Sequence, residues 1–202
     1  MRRLALVLLS ALLSACAGMR LMEIDVRALS TLGAPELAEG ASYRFERLLS
    51  QDAQPQAQAE IEASVERALA ASALRRAADP LLARYSLLAT ARTLAYVQDD
   101  EGQLAPSGFG HGQAQISVGP GGYSGPLRYA RPSMLFSYLY RSEVTLVLRD
   151  LRSMKIVYES QAKHEGPWPD RGAIYASMFE AALRDFPNPP AGARRVRVEI
   201  PR

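Results

Sequence analysis

Hydrophobic and polar residues alternate along much of this chain, and the alternation predicts most of its strands. Met22, Ile24, Val26 and Ala28 are separated by polar or charged residues, a two-residue period typical of a strand with one buried face. Strands are predicted in the same way over residues 43–48, 81–97, 134–148, 155–163 and 194–200. Residues 150–154 are predicted to form the turn of a hairpin between two of them.

Two segments carry apolar residues at helical spacing instead. The first helix is predicted to begin within residues 52–55 and to end before Asp79-Pro80. Its apolar stripe comprises Ile61, Val65, Ala68, Leu69 and Ser72. The second helix is predicted to begin with Asp170 as its N-cap and to end at the prolines of residues 187–190.

Residues 98–132 differ in composition from the rest of the chain. Eight of the fourteen glycines lie between residues 102 and 125, together with several prolines. A segment of this kind buries too little apolar surface to offset the entropy lost on ordering. We therefore expect a flexible excursion with at most a short strand over residues 113–118.

Together these elements predict an α+β domain in the order β-β-α-β-(loop)-β-β-α-β. We expect a single, mostly antiparallel sheet with two helices packed on one face, because hairpins pair strands antiparallel and helices segregate to one side of such sheets. The other face would be solvated or used for binding. One such domain is expected over residues 22–202, which is an ordinary size for a single core.

The first sixteen residues indicate a targeting signal rather than part of this fold. Two arginines precede an apolar run that is too short to span a bilayer, as in a secretory signal peptide. Leu13, Ser14, Ala15 and Cys16 then resemble a bacterial lipobox, in which a peptidase cuts before a cysteine whose sulfur carries a diacylglycerol. Ordinary secretion, an uncleaved membrane anchor and a cytosolic N-terminus are the competing interpretations.

Lipidation of Cys16 would place the protein at a membrane surface. Residues 1–15 would be the signal peptide and residues 16–21 a lipidated tether. More than one acyl chain gives stable attachment, since each buried methylene contributes about 0.8 kcal/mol. Residue 17 is alanine rather than aspartate, which by analogy with enterobacterial sorting rules indicates the periplasmic side of the outer membrane.

Composition argues against a nucleic-acid partner. The full chain has a formal net charge of +3, but removal of the signal peptide with its two arginines lowers it to +1. A charge this small provides little counterion release on binding a polyanion. Cys16 is the single cysteine, so no disulfide can form within the chain and stability depends on an ordinary core.

The sequence contains no clear catalytic, cofactor or metal-binding constellation. Ser124 lacks the following glycine of a nucleophile elbow, because Pro126 occupies that position. His111 and His164 have no partners at metal-ligand spacing and are predicted to be solvated. Trp168 is predicted either to cover the edge of the core or to act as a recognition aromatic at a loop tip.

Several segments resemble an uncharacterised family of bacterial envelope lipoproteins. They are YRF, the stretch from IEASVERAL to LLARYSL, a Gly/Tyr-rich middle, VTLVLRDLRSMKIVYES and FPNPP, within residues 22–187. Ala78-Asp79-Pro80 and Phe186-Pro187 match motifs of that family, whereas Tyr158 stands where it usually has tryptophan. The resemblance implies this fold and an envelope location, and no catalytic residue.

The expected function is therefore that of a non-enzymatic outer-membrane lipoprotein of a Gram-negative bacterium. It would bind an envelope protein or structural component through the free sheet face or the excursion of residues 98–132. One alternative is a carrier for lipid or another apolar ligand, which an enclosed apolar cavity of several hundred Å³ would favour. The other is an envelope hydrolase assembled from groups that only the fold brings together.

Overall fold

The computed structural model describes residues 18–33, 37, 41–98, 104–106 and 137–201. The predicted signal peptide, the lipobox residues and the predicted strand over residues 113–118 lie outside this part of the chain. Within the described residues, no helix is both long enough and apolar enough to cross a membrane.

The described residues form eight strands and three α-helices. In chain order they are β1 (Met19–Ser30), β2 (Ser42–Glu46), α1 (Leu49–Asp52), α2 (Pro55–Leu69), β3 (Arg75–Arg76), β4 (Tyr85–Gln98), β5 (Leu104–Pro106), β6 (Ser137–Asp150), β7 (Ile156–Gly166), α3 (Arg171–Leu183) and β8 (Ala193–Pro201). A 3-10 helix (Pro80–Leu82) precedes β4, and its N-cap Asp79 accepts a hydrogen bond from the backbone of Leu81.

All eight strands belong to one sheet. Seven follow the order β3-β2-β4-β6-β7-β1-β8, and β5 pairs with β4 beside this path. β2 runs parallel to both β3 and β4, while the remaining pairs are antiparallel. The sheet is therefore mixed, and β8 and β3 stand at its two edges.

The predicted fold class is wrong in the number of strands and in their order, whereas a mostly antiparallel sheet with two helices is partly consistent with the mixed sheet observed. Six strands were expected in a mostly antiparallel sheet, whereas eight occur and β2 pairs in parallel. The parallel pair follows from the crossover through α2, because a strand-helix-strand connection returns the chain in the same direction. β3 and β5 are too short, at two and three residues, to show an alternating pattern.

The first long helix also differs from the prediction. α2 ends at Leu69 rather than near Asp79, and α1 forms a separate turn before it. Ser72 explains the early end, because both its backbone N–H and its hydroxyl donate to the carbonyl of Leu69, at 2.8 and 2.7 Å. The chain then turns outward and forms β3 against β2.

The core lies between one face of the sheet and the helices α2 and α3. Met22, Ile24 and Val26 of β1 are buried, and so are Met178 and Phe179 of α3. Burial of each such side chain contributes about 1.5–3 kcal/mol. α3 contacts β1, β6, β7 and β8, whereas α2 packs on α3 and β4. This arrangement fixes α3 tightly and leaves α2 near one edge of β4.

Candidate interaction surfaces

The second face of the sheet carries no helix among the described residues, and we call it the open face. It presents the odd-numbered residues of β1, β6, β7 and β8 and the even-numbered residues of β4. Charged side chains dominate its centre. Four exposed apolar side chains also lie on it: Met19, Leu21, Leu29 and Leu94.

A row of alternating charges crosses five strands of the open face. The registers place side by side Arg92, Glu143, Lys163, Asp25 and Arg195. We call these five residues the charge row. Arg92 Nε donates to Glu143 at 2.8 Å, Lys163 Nζ lies 3.6 Å from the same carboxylate, and Arg195 Nε donates to Asp25 at 2.8 Å.

These ion pairs bias the protonation of the carboxylates. The hydrogen bond from Arg195 holds the pKa of Asp25 below its ordinary value. Burial raises the pKa of Glu143, but the hydrogen bond and charge of Arg92 and the charge of Lys163 outweigh it and leave a lowered pKa. Both carboxylates therefore stay charged at neutral pH, and the row keeps its alternating sign.

A groove of about 730 Å³ lies between α2, the first turn of α3 and β4. Ala57 and Ile61 of α2 form one side, and Arg171 and Tyr175 of α3 form the other. Tyr175 OH lies 2.8 Å from Thr93 Oγ1 of β4, which in turn lies 2.8 Å from another hydroxyl in β6. The groove is open to solvent and partly polar. A carrier for lipid is expected to have an enclosed apolar cavity instead.

Two glutamine amides of the groove lining bond to the backbone of β4. Gln58 is 3% exposed, and its amide nitrogen lies 3.3 Å from the carbonyl oxygen of Ala89. Gln51 donates to the same carbonyl at 2.7 Å and to Gln58 Oε1 at 2.9 Å. Glu62 is also buried and accepts a bidentate pair of hydrogen bonds from Arg47, at 2.6 and 2.8 Å.

His164 lies in a buried cluster and is not solvated as predicted. It is 5% exposed, and its Nδ1 lies 2.8 Å from the carbonyl oxygen of Glu23, to which it donates. Trp168 stacks parallel to its ring, with the centroids 6.1 Å apart, and therefore covers the edge of the core. Arg20 lies over Trp168 and pairs with Asp170, the N-cap of α3, at 2.9 Å.

The structure describes only some of the residues that the sequence analysis singled out. Cys16 and the lipobox residues Leu13, Ser14 and Ala15 lie outside the described part, as do Ser124 and His111. The predicted tether of residues 16–21 overlaps β1, which already begins at Met19. Among the described residues, no group of three or more histidine, cysteine, aspartate or glutamate side chains is placed to hold a metal ion.

Comparison with known proteins shows no family for this chain. No protein-family model matches it, and no curated protein is significantly similar to it. Among solved structures, two forms of the PelC dodecamer from Paraburkholderia phytofirmans are similar at 16% and 15% identity, with TM-scores of 0.41 and 0.43. Each alignment covers 79% of this chain and 94% of PelC.

A PDZ domain protein from Parabacteroides distasonis is similar over 94% of this chain and 41% of its own length, at 10% identity and a TM-score of 0.46. All three scores are too low to show a shared fold. Nothing about the partners, assembly or activity of this chain therefore follows from these structures.

Proposed function

We propose that this protein is a non-enzymatic lipoprotein of the Gram-negative envelope, attached through Cys16 to the periplasmic side of the outer membrane. Its role is to bind an envelope protein through the open face. The observation that carries this proposal is the charge row, which crosses a sheet face on which no described α-helix packs. The lipobox of residues 13–16 supports the anchor.

The position of β1 relative to Cys16 supports an orientation for the open face. Met19 begins β1 three residues after Cys16, so the connecting chain spans at most about 11 Å. The lipid would hold this end of the sheet close to the bilayer. Met19 and Leu21, which are 51% and 54% exposed on the open face, would then face the membrane surface. The charge row lies farther along the strands and stays accessible in the periplasm.

The charge row fits a recognition role better than a stabilising role. The pair of Arg195 with Asp25 is exposed on both sides, and such pairs contribute little to the stability of a fold because solvent screens them; only the less exposed Glu143 is expected to add measurably. Complementary charge instead selects partners and speeds their association. An envelope protein with a matching array of charges is the partner that this surface favours.

The anchor is tested by the intact mass of the protein purified from membranes, beside a Cys16→Ser variant. We expect the wild-type chain to begin at Cys16 and to carry acyl chains, and the variant to carry none. Unacylated wild-type protein recovered from the soluble periplasm would contradict the proposed anchor.

The binding surface is tested by crosslinking in living cells followed by purification of the protein. Lys163→Glu reverses one charge of the row at an exposed position, and Lys155→Glu makes the same change in the β6-β7 turn. We expect the first variant to lose partners that the second retains, at equal expression and melting temperature. The same set of partners from both variants would exclude the charge row as the binding surface.

A further inference from the structure

Two adjoining turns at one end of the sheet expose apolar side chains to solvent. Leu81 and Leu82, on the 3-10 helix before β4, are 84% and 79% exposed. The turn between β6 and β7 carries Met154, which is 61% exposed. The backbone N–H of Leu151 in this turn donates to the carbonyl of Arg84 at 2.9 Å. Because Arg84 follows Leu82 by only two residues, the exposed apolar side chains of both turns lie at the same end of the sheet.

The turn between β6 and β7 also carries two exposed cations. Neither Arg152 nor Lys155 forms a side-chain ion pair within the described part of the chain, and both are exposed. The carboxylate of this turn, Asp150, is instead directed to Arg84 at 3.5 Å and accepts the backbone N–H of Arg152 at 2.7 Å. Two positive charges are thus left without a carboxylate beside exposed apolar groups. We give the name basic tip to Leu81, Leu82, Arg152, Met154 and Lys155.

The backbone of Met154 is strained. Its φ is +58°, in the left-handed region that glycine adopts without penalty and that a residue with a Cβ atom adopts at a cost. Burial does not offset this cost, because the side chain of Met154 is mostly exposed. Strained residues of this kind are concentrated at binding and active sites, and methionine adapts well to irregular partner surfaces. The methionine therefore suits a contact with another molecule better than a role in the fold.

The charges around the basic tip favour a protein partner over a bilayer. Apolar side chains beside unpaired cations fit a surface that is both apolar and acidic, which anionic lipid and acidic proteins can each provide. Asp79 distinguishes the two, because it is exposed and accepts the backbone N–H of Leu81 at 2.9 Å. Insertion of Leu81 into an anionic bilayer would bring this carboxylate against the lipid phosphates. A protein can place its acidic groups at the cations alone.

The basic tip lies at the end of the sheet away from the proposed anchor. Ser30, the last residue of β1, pairs with Tyr158 near the start of β7, beside the turn that carries Met154. Met19 at the other end of β1 is about 36 Å from Ser30, at 3.3 Å per residue. A protein attached through Cys16 would therefore hold the tip away from the membrane, and this step rests on the proposed function.

We infer that the basic tip binds a partner protein through an apolar groove with an acidic rim. Leu82 and Met154 stand out from the surface, so the surface that covers them is concave. Carboxylates at the rim of that groove pair with Arg152 and Lys155. The apolar contacts supply affinity, and the charges select the partner and speed its association. The basic tip shares no residue with the charge row.

The partner is tested by photo-crosslinking in living cells, with benzoylphenylalanine in place of Leu82. The same substitution at Leu49 is the matched control, because Leu49 is 90% exposed but lies on α1 with Asp52 and outside the tip. We expect a protein adduct from position 82 and not from position 49. Mass spectrometry of the crosslinked peptide should show a segment with more aspartate and glutamate than lysine and arginine, beside apolar residues. A phospholipid adduct, a basic crosslinked segment or no adduct would overturn the inference.

Charge reversal separates the basic tip from the charge row. In the chain crosslinked at position 82, Lys155→Glu should lower the adduct yield about fivefold or more, and Lys163→Glu should leave it unchanged. Partners of the charge row should show the opposite pattern, and the intact mass reports the anchor separately. Failure of the tip and failure of the proposed function are therefore distinct results. An adduct yield that Lys155→Glu leaves unchanged would contradict the role of the cations.

Met154→Gly separates binding from folding. Glycine relieves the strain at φ +58° and removes the exposed side chain, so the melting temperature should be at least that of the wild type. The adduct yield from position 82 should nevertheless fall about fivefold or more, because the partner loses the contact with Met154. Loss of the adduct in a fully stable variant cannot come from misfolding. An unchanged adduct yield in Met154→Gly would overturn the inference.

Discussion

Gly166 is the position where one added methyl group should disturb the fold most clearly. It is the last residue of β7 and is buried. A Cβ atom at this position would lie 2.8 Å from Nε2 of His164 and 3.2 Å from Cε3 of Trp168. Both distances are shorter than ordinary van der Waals contacts, so one of the two rings must move.

Neither ring can move freely, and this restraint sets the size of the expected loss of stability. The imidazole of His164 is held by its hydrogen bond to the carbonyl of Glu23 at 2.8 Å and by stacking on Trp168. Trp168 is in turn held by the guanidinium of Arg20, which lies 5.1 Å from the ring centroid. Overpacking of a well-ordered region typically costs 1–3 kcal/mol, and we expect Gly166→Ala to lower the free energy of unfolding by about 2 kcal/mol.

The assay is urea denaturation followed by the fluorescence of Trp168, the single tryptophan of the chain. Gly172→Ala is the first control: the nearest atom to its Cβ lies 3.9 Å away, and alanine in the first turn of α3 should stabilise by about 0.5–1 kcal/mol. Gly192→Ala is the second control: it meets no atom within 4 Å, but φ is +90°, and the strain should cost about 1–2 kcal/mol. Wild-type stability of Gly166→Ala, with both controls as expected, would refute the steric reasoning.

Two further predictions concern the sheet. Because the folded-state pKa of Glu143 lies below its ordinary value of 4.5, its contribution to stability is present above that pH and is lost as the pH falls through the lowered pKa. The free energy of unfolding, measured by urea denaturation, should thus decrease below about pH 4.5 in the wild type and less steeply in Glu143→Gln. Equal pH dependence of the two unfolding free energies would contradict this. The Tyr158 and Ser160 hydroxyls both donate to the buried carbonyl of Ala182 at 2.9 Å. Tyr158→Phe and Ser160→Ala should each cost about 0.5–1.5 kcal/mol in urea denaturation, and the double variant more than their sum, because that carbonyl then has no side-chain donor; additivity would contradict this.

The strands that bury one face could be predicted from sequence to within a few residues. In β6 the alternating positions Val144, Leu146 and Leu148 are buried, as their two-residue period indicates. The N-cap of α3 is also confirmed, since Asp170 accepts a hydrogen bond from the backbone of Ala173. These features depend on residues that are close together in the sequence, so the local pattern of residues is enough to predict them.

Strand pairing and helix ends depended on contacts that no local pattern records. The parallel position of β2 follows from where α2 packs, and α2 ends early because Ser72 bonds to Leu69 rather than continuing the helix. Burial of His164 likewise required the register that sets β7 beside β1 and Trp168 above it. A histidine just after a predicted strand gave no sign of this.

The packing of α2 on β4 illustrates the same limit and also a signal that could have been recognised. β2 has five residues and β4 has fourteen, so α2 can reach β4 beyond the end of β2, which becomes visible only once the two strands are paired. The buried stripe of α2, however, begins with Gln58 and Glu62 before it continues with Val65 and Leu69. A polar side chain in a core stripe must find a hydrogen-bond partner, and an unpaired strand carbonyl is a common one. Gln58 therefore indicates a strand carbonyl beside α2, and in the structure this is the carbonyl of Ala89, to which the Gln58 amide donates at 3.3 Å.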